Sequence, residues 1–114
     1  MIKIYHNNRC SKSRSGLEIL ENSGKDFEVI KYLENIPTKE ELKALIKLLG
    51  IEPIDLVRKN ETIWKSNYKN KVLTNDAIIN AMLEHPKLIE RPIVISGNKA
   101  LIGRPPELIL DLIS

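Results

Sequence analysis

The sequence predicts an α/β fold: a small mixed sheet, one parallel strand pair plus one antiparallel hairpin, flanked by helices. Three observations predict it. The chain opens with a β-rich run, a helical stretch and a second β-rich run, an order that implies a parallel pair with a right-handed crossover. Its last third reads strand, tight turn, strand, helix, the order of an antiparallel hairpin with a helix after it. Between these halves, about 38–85, the apolar residues recur only at helical spacing, so this stretch reads as a helical insertion. At 114 residues the chain is expected to be one domain, 1–114, because domains usually run to roughly 100–150 residues.

Ile2-Lys3-Ile4-Tyr5 is β-rich and reads as the first strand. His6 to Arg9 is a polar loop. Ser11 to Ser23 follows as a helix, with Leu17, Ile19 and Leu20 as its apolar face and Gly24 as its stop. Gly16 inside it costs about 1 kcal/mol against Ala, which points to close packing at that position. Phe27 to Tyr32 is the second strand. Thr38-Lys39-Glu40-Glu41 is a capping box, in which hydroxyl and carboxylate satisfy each other's backbone N–H groups. Leu42, Leu45, Ile46 and Leu49 then repeat at helical spacing up to Gly50. Pro53 suits the first turn of a short helix carrying Ile54, Leu56 and Val57. Thr74 caps a further helix with Ile78, Ile79, Met82 and Leu83 inward, ending before Pro86. Pro92 to Ile95 is a strand, Ser96-Gly97-Asn98 a turn, and Lys99 to Ile102 the returning strand. Pro105-Pro106-Glu107 open the final helix, with Leu108, Ile109, Leu112 and Ile113 on one side.

Composition excludes several function classes. Hydrophobic residues at 42% and charged residues at 29% are ordinary for a folded soluble protein. The net charge of +3 is spread along the chain, and no basic patch interleaved with aromatics is evident, so no nucleic acid is expected as a partner. A single cysteine, Cys10, excludes an internal disulfide and every multi-cysteine zinc or iron–sulfur site, and two histidines are too few for a zinc centre. The opening residues are too polar for a signal peptide, and no apolar run approaches the roughly 20 residues of a membrane helix. The cytoplasm, where a thiol stays reduced, is the expected compartment.

Cys10 lies between the first strand and the first helix, at the carboxyl end of a parallel strand, where α/β proteins tend to bind ligands. Free cysteines are ordinarily buried and inert. Here the surroundings are polar and cationic: Asn7-Asn8-Arg9-Cys10-Ser11-Lys12-Ser13-Arg14. A helix N-terminus, hydroxyls and nearby cations all favour a thiolate over a thiol. Thiolate, helix N-terminus and several arginines together suggest a nucleophile beside an oxyanion pocket. Arginine suits that pocket, because its fork donates two parallel hydrogen bonds and keeps its proton.

The element order is that of thioredoxin-like domains with a helical insertion between the βαβ and ββα halves. Tyr5-His6-Asn7 with Arg9-Cys10-Ser11-Lys12-Ser13-Arg14 resembles the active-site loop of the glutaredoxin-coupled arsenate reductases. Tyr32-Leu33-Glu34-Asn35, Leu56-Val57-Arg58-Lys59, His85-Pro86, Arg91-Pro92-Ile93-Val94 and Gly103-Arg104-Pro105 match in the same order, from about Ile2 to Leu112. The chain is most similar to the arsenate-reductase-like subgroup. The resemblance implies that Cys10 is the catalytic nucleophile and that His6 and Ser13 help activate it. It implies further that Arg58, Arg91 and Arg104 bind the oxyanion and that Pro92 is the structural cis-proline; the Ser11 hydroxyl and the Arg14 charge, read from the loop itself, are further expected substrate contacts. Asn8 stands where that family usually has proline. With one cysteine, the implied reductants are external: glutathione as cosubstrate and glutaredoxin as partner, with no bound cofactor and no metal. A monomer with no membrane association is expected. Two alternatives share the scaffold: a redox-sensing transcription regulator that binds RNA polymerase, and a thiol reductase with a non-arsenic substrate. The regulators often carry a second cysteine where this chain has Ser13.

Overall fold

In a computed structural model, residues 2–114 are described, and the chain divides into two compact units. One comprises the chain up to Asn35 together with Arg91–Ser114, and the other Ile36–Glu90. The first unit contains a four-stranded sheet built from β1 (Ile2–Tyr5), β2 (Phe27–Ile30), β3 (Ile93–Ser96) and β4 (Lys99–Ile102), in the order β2-β1-β3-β4. β1 pairs parallel with β2 and antiparallel with β3, and β3–β4 is the hairpin. The architecture is thioredoxin-like, as expected. The hairpin turn is Gly97-Asn98, with Gly97 at φ +62° in the first central position. Only that residue of the turn takes a positive φ, the pattern of a type II′ turn, whose twist matches that of the strands.

Two helices complete this unit, α1 (Ser11–Asn22) and α5 (Leu108–Ile113), the latter numbered by its place in the chain. Leu20 of α1 and Ile109 and Ile113 of α5 form the core with Ile2, Ile4 and Val94 of the sheet. The alternation of Ile2 and Ile4 with exposed Lys3 is the period-2 signature of a half-buried strand.

Several expectations need correcting. β2 ends at Ile30 rather than Tyr32, because the chain curls into a turn in which the N–H groups of Glu34 and Asn35 donate to the Lys31 carbonyl. The buried face of α1 is Ser13, Gly16 and Leu20, with Leu17 and Ile19 only half-buried. A Cβ on Gly16 would lie 2.9 Å from Pro92 Cγ and 3.0 Å from Ile109 Cδ1, and one on Gly103 would lie 3.0 Å from the same two atoms. The Pro92 ring therefore sits between two glycines, which explains the helix-interior glycine. α5 starts three residues after Pro105, since residues 105–107 form turns whose carbonyls accept from N–H groups three residues on. Leu108 is 39% exposed rather than inward.

The second unit is helical: α2 (Lys39–Leu49), a short 3-10 turn Pro53–Leu56, α3 (Thr62–Asn67), α4 (Asn75–Glu84) and a second 3-10 turn Pro86–Leu88. The capping box holds as read: Thr38 Oγ1 accepts Glu41 N–H at 3.1 Å, and Glu41 Oε1 accepts Thr38 N–H at 2.9 Å. Gly50 closes α2 at φ +68°, a left-handed cap that suits glycine. Thr74 caps α4, which buries Ile78, Ile79, Ala81 and Met82, leaving Leu83 half-exposed. Lys39 Nζ, at the start of α2, lies 2.7 Å from Asp76 in the first turn of α4. The sequence reading missed α3, a six-residue helix carrying the buried Trp64.

Candidate active site

Cys10 is the N-cap of α1, with extended backbone (φ −97°, ψ 123°), so its sulfur sits where β1 has ended and the helix begins. The loop that delivers it is tightly tied. Asn7 Oδ1 accepts Arg9 N–H at 3.0 Å, and the Asn7 carbonyl accepts Cys10 N–H at 3.0 Å. The first is an Asx turn, which sets the chain direction just before the cap. Arg14 Nη1 donates to the Asn8 carbonyl at 3.0 Å, clamping the loop to the second turn of the helix. That anchor is a backbone carbonyl, so it does not depend on whether position 8 is asparagine or proline.

Beneath the loop, Ser13 Oγ accepts Asn7 N–H at 3.0 Å and shares a hydrogen with His6 Nδ1 at 2.7 Å. Ser13 is fully buried and His6 is 5% exposed. Burial holds the His6 pKa below its ordinary value of 6.5, helped by the cations Lys31 and Arg14 and opposed by the Ser13 hydrogen bond. His6 is therefore neutral at pH 7. Through these bonds Ser13 ties the loop residues His6 and Asn7 to the first turn of α1.

Above the sulfur lies an arginine from the far end of the chain. Arg104 Nη2 is 3.5 Å from Cys10 Sγ, and its Nε donates to the Arg91 carbonyl at 2.9 Å. The residue just beyond β4 thus reaches back over the residue just before β3. The Arg91–Pro92 bond is cis, and so is Arg104–Pro105, which the sequence reading did not single out. Arg91 is itself 7% exposed, a buried guanidinium two residues before the strand.

The structure thus gathers Cys10, His6, Ser13, Arg14, Arg91, Pro92 and Arg104 in one unit, with Ser11 exposed as the first residue of α1. Arg58 belongs to the other unit. There Arg58 N–H donates to the Leu88 carbonyl at 2.7 Å, and its Nε lies 3.3 Å from Glu90 Oε1. A short antiparallel bridge between Val57 and Ile89 sets that position. The residue that sequence reasoning missed is Asn7. Its signal was present as Asn placed shortly before a helix start, the position of an Asx turn. A groove of about 360 Å³ beside the loop is lined by His6, Asn7, Asn8, Arg9, Lys31, Leu33 and Glu34. Among the described residues no three His, Cys, Asp or Glu side chains gather as a metal site, and no helix is long and apolar enough to cross a membrane.

A thioredoxin-like sheet whose single thiol caps the first helix, with an arginine on the sulfur, defines a class of thiol proteins. Within it, the chain belongs to the ArsC family, which it matches over residues 5–112. It is 44% identical to the arsenate reductase of Neisseria meningitidis serogroup A, over 93% of this chain and 92% of that one. It is 45% identical to the uncharacterized protein YfgD of Escherichia coli, over 98% and 96%. Among solved structures, the arsenate reductase from Vibrio cholerae superposes with a TM-score of 0.91 at 50% identity, covering 96% of this chain and 95% of that one.

Proposed function

We propose that this protein reduces arsenate to arsenite with Cys10 as nucleophile and glutathione and glutaredoxin as the electron source. The observation that carries the reading is the Arg104 guanidinium at 3.5 Å from Cys10 Sγ. A thiolate and an arsenate dianion repel each other. A permanent cation that touches the sulfur lowers that repulsion where the new bond forms. Membership of the ArsC family and the arsenate reductases among its relatives support the substrate.

The Cys10 sulfur bonds to As(V), and one arsenate oxygen leaves as water. A glutathione thiolate attacks the Cys10 sulfur and the sulfur–arsenic bond breaks with its electron pair left on arsenic. As(V) becomes As(III), and the two thiols end as a Cys10–glutathione disulfide. A glutaredoxin thiol takes the glutathione and frees Cys10. The chain's single cysteine supports external reductants. The groove beside the loop offers Arg9 and Lys31 to the carboxylates of glutathione. Arg91 joins Arg104 as an oxyanion ligand, and His6 and Ser13 act through the loop they hold, as positioning residues. Phosphate matches arsenate in shape and charge, so discrimination rests on reducibility by thiols rather than on binding.

The test is to incubate the protein with arsenate and glutathione, omit glutaredoxin, and weigh it. A Cys10–glutathione adduct that requires arsenate is expected. Modification at the same rate with phosphate in place of arsenate would refute the reading.

A further inference from the structure

The helical unit contains a cleft of about 660 Å³ that the thiol chemistry does not use. Its walls carry Lys59, Lys65, Lys69 and Lys71, and its aromatic side is Trp64 with Tyr68, stacked at 5.4 Å between centroids and 24° between planes. No acidic side chain lines it. Its remaining polar side chains are the amides of Asn60 and Asn75. Asn75 is the first residue of α4, so the positive end of that helix adds to the lysines. Three acids adjoin lining residues in sequence without lining the cleft: Asp55 accepts Glu52 N–H at 3.2 Å, Glu61 is the N-cap of α3, and Asp76 is held by Lys39 at 2.7 Å.

Each feature narrows the ligand. The volume is that of a small-molecule site, which typically spans about 300–1,000 Å³. Four lysines without a compensating acid attract a ligand of several negative charges. A stacked aromatic pair beside them offers a planar ring an apolar wall, and side-chain amides can pair with the polar edge of a base. We infer that this cleft binds a nucleoside polyphosphate, with the base against the Trp64–Tyr68 wall and the phosphates on Lys59, Lys65, Lys69 and Lys71. Both parts of the ligand are needed: inorganic polyphosphate lacks the ring, and a nucleoside lacks the charge. The inference is independent of the thiol reaction, because every residue it uses lies between Ile54 and Ile78.

Trp64 is the chain's single tryptophan, so its fluorescence reports on this cleft alone. The experiment titrates the intact protein with ATP and GTP, and in parallel with tripolyphosphate, adenosine and a short oligodeoxynucleotide, following Trp64 emission excited at its red edge. Saturable change with at least one nucleotide is expected, at an affinity at least about tenfold tighter than for tripolyphosphate or adenosine. The K65E/K69E double variant should lose at least about tenfold in affinity. The charge-matched K47E/K99E variant, altered at exposed lysines outside the cleft, should stay within about twofold, with circular dichroism confirming both folds. No saturable change with either nucleotide would overturn the inference. So would equal losses in both double variants, which would mean diffuse charge, or tighter binding of the oligonucleotide than of either mononucleotide, which would mean a nucleic-acid surface.

Discussion

Arg104 does two things at once at the single-residue level. It touches the sulfur with Nη2 and ties itself to the Arg91 carbonyl with Nε, so its position is fixed by backbone rather than by solvent. Replacing it with alanine is expected to lower arsenate-dependent kcat/KM by about 10²-fold or more, the usual loss for one oriented charge donor. Lysine should recover only part, because it cannot hold the carbonyl and the sulfur together. Unchanged kinetics in Arg104→Ala would contradict the assignment. Ser13 makes a second test. Its hydroxyl serves a buried N–H and a buried imidazole, so Ser13→Ala should cost about 1–3 kcal/mol in denaturant unfolding, the penalty of a buried donor left unpaired. His6 gives a pH dependence. Its folded pKa lies below 6.5, so as pH falls the unfolded chain binds the proton first. The contribution is fully present above about 6.5 and declines as pH falls toward the lowered folded value. Thermal scans across that range should show stability dropping on acidification, and the His6 ring protons in NMR should titrate below 6.5. A His6 midpoint above 6.5 would reverse the sign.

For the elements, legibility depended on whether a local signal existed. β1, the α2 capping box and the Gly97-Asn98 hairpin were readable because alternation, reciprocal capping and a turn glycine are written in adjacent residues. α3 was not, because it has six residues and no side-chain cap, too short for periodicity to register. The inward face of α1 was misread because it begins with Ser13 and Gly16. Neither is hydrophobic, and both are there for distant partners: Ser13 for the loop, Gly16 for Pro92 and Ile109. Gly16→Ala tests this. The added methyl would meet the stiff Pro92 ring at 2.9 Å, so a loss of about 1–3 kcal/mol is expected despite alanine's better helix propensity. A stabilised variant would show that the contact is soft. Because Pro92 follows the residue whose carbonyl holds Arg104, the same substitution should also slow reaction at Cys10.

For the whole molecule, the candidate residues were legible and their assembly was not. A lone cysteine in a cationic loop marked a candidate nucleophile, and resemblance to arsenate reductases marked Arg58, Arg91 and Arg104 as candidate oxyanion ligands. Nothing local in Gly103-Arg104-Pro105 says that this guanidinium returns 94 residues to the sulfur, because that approach is made by the β3–β4 hairpin lying beside β1. The helical stretch was recognised as an insertion, but its lysine-lined cleft was invisible because Lys59 to Lys71 read as ordinary solvated charge. The central claim is that Cys10 transfers electrons from glutathione to arsenate. The most direct measurement is arsenite formation from arsenate with glutathione and glutaredoxin present, alongside glutathione disulfide formed. One arsenite per glutathione disulfide is expected from the intact protein, and none above background from Cys10→Ser. Equal turnover in that variant, or no arsenite from the intact protein under these conditions, would contradict it.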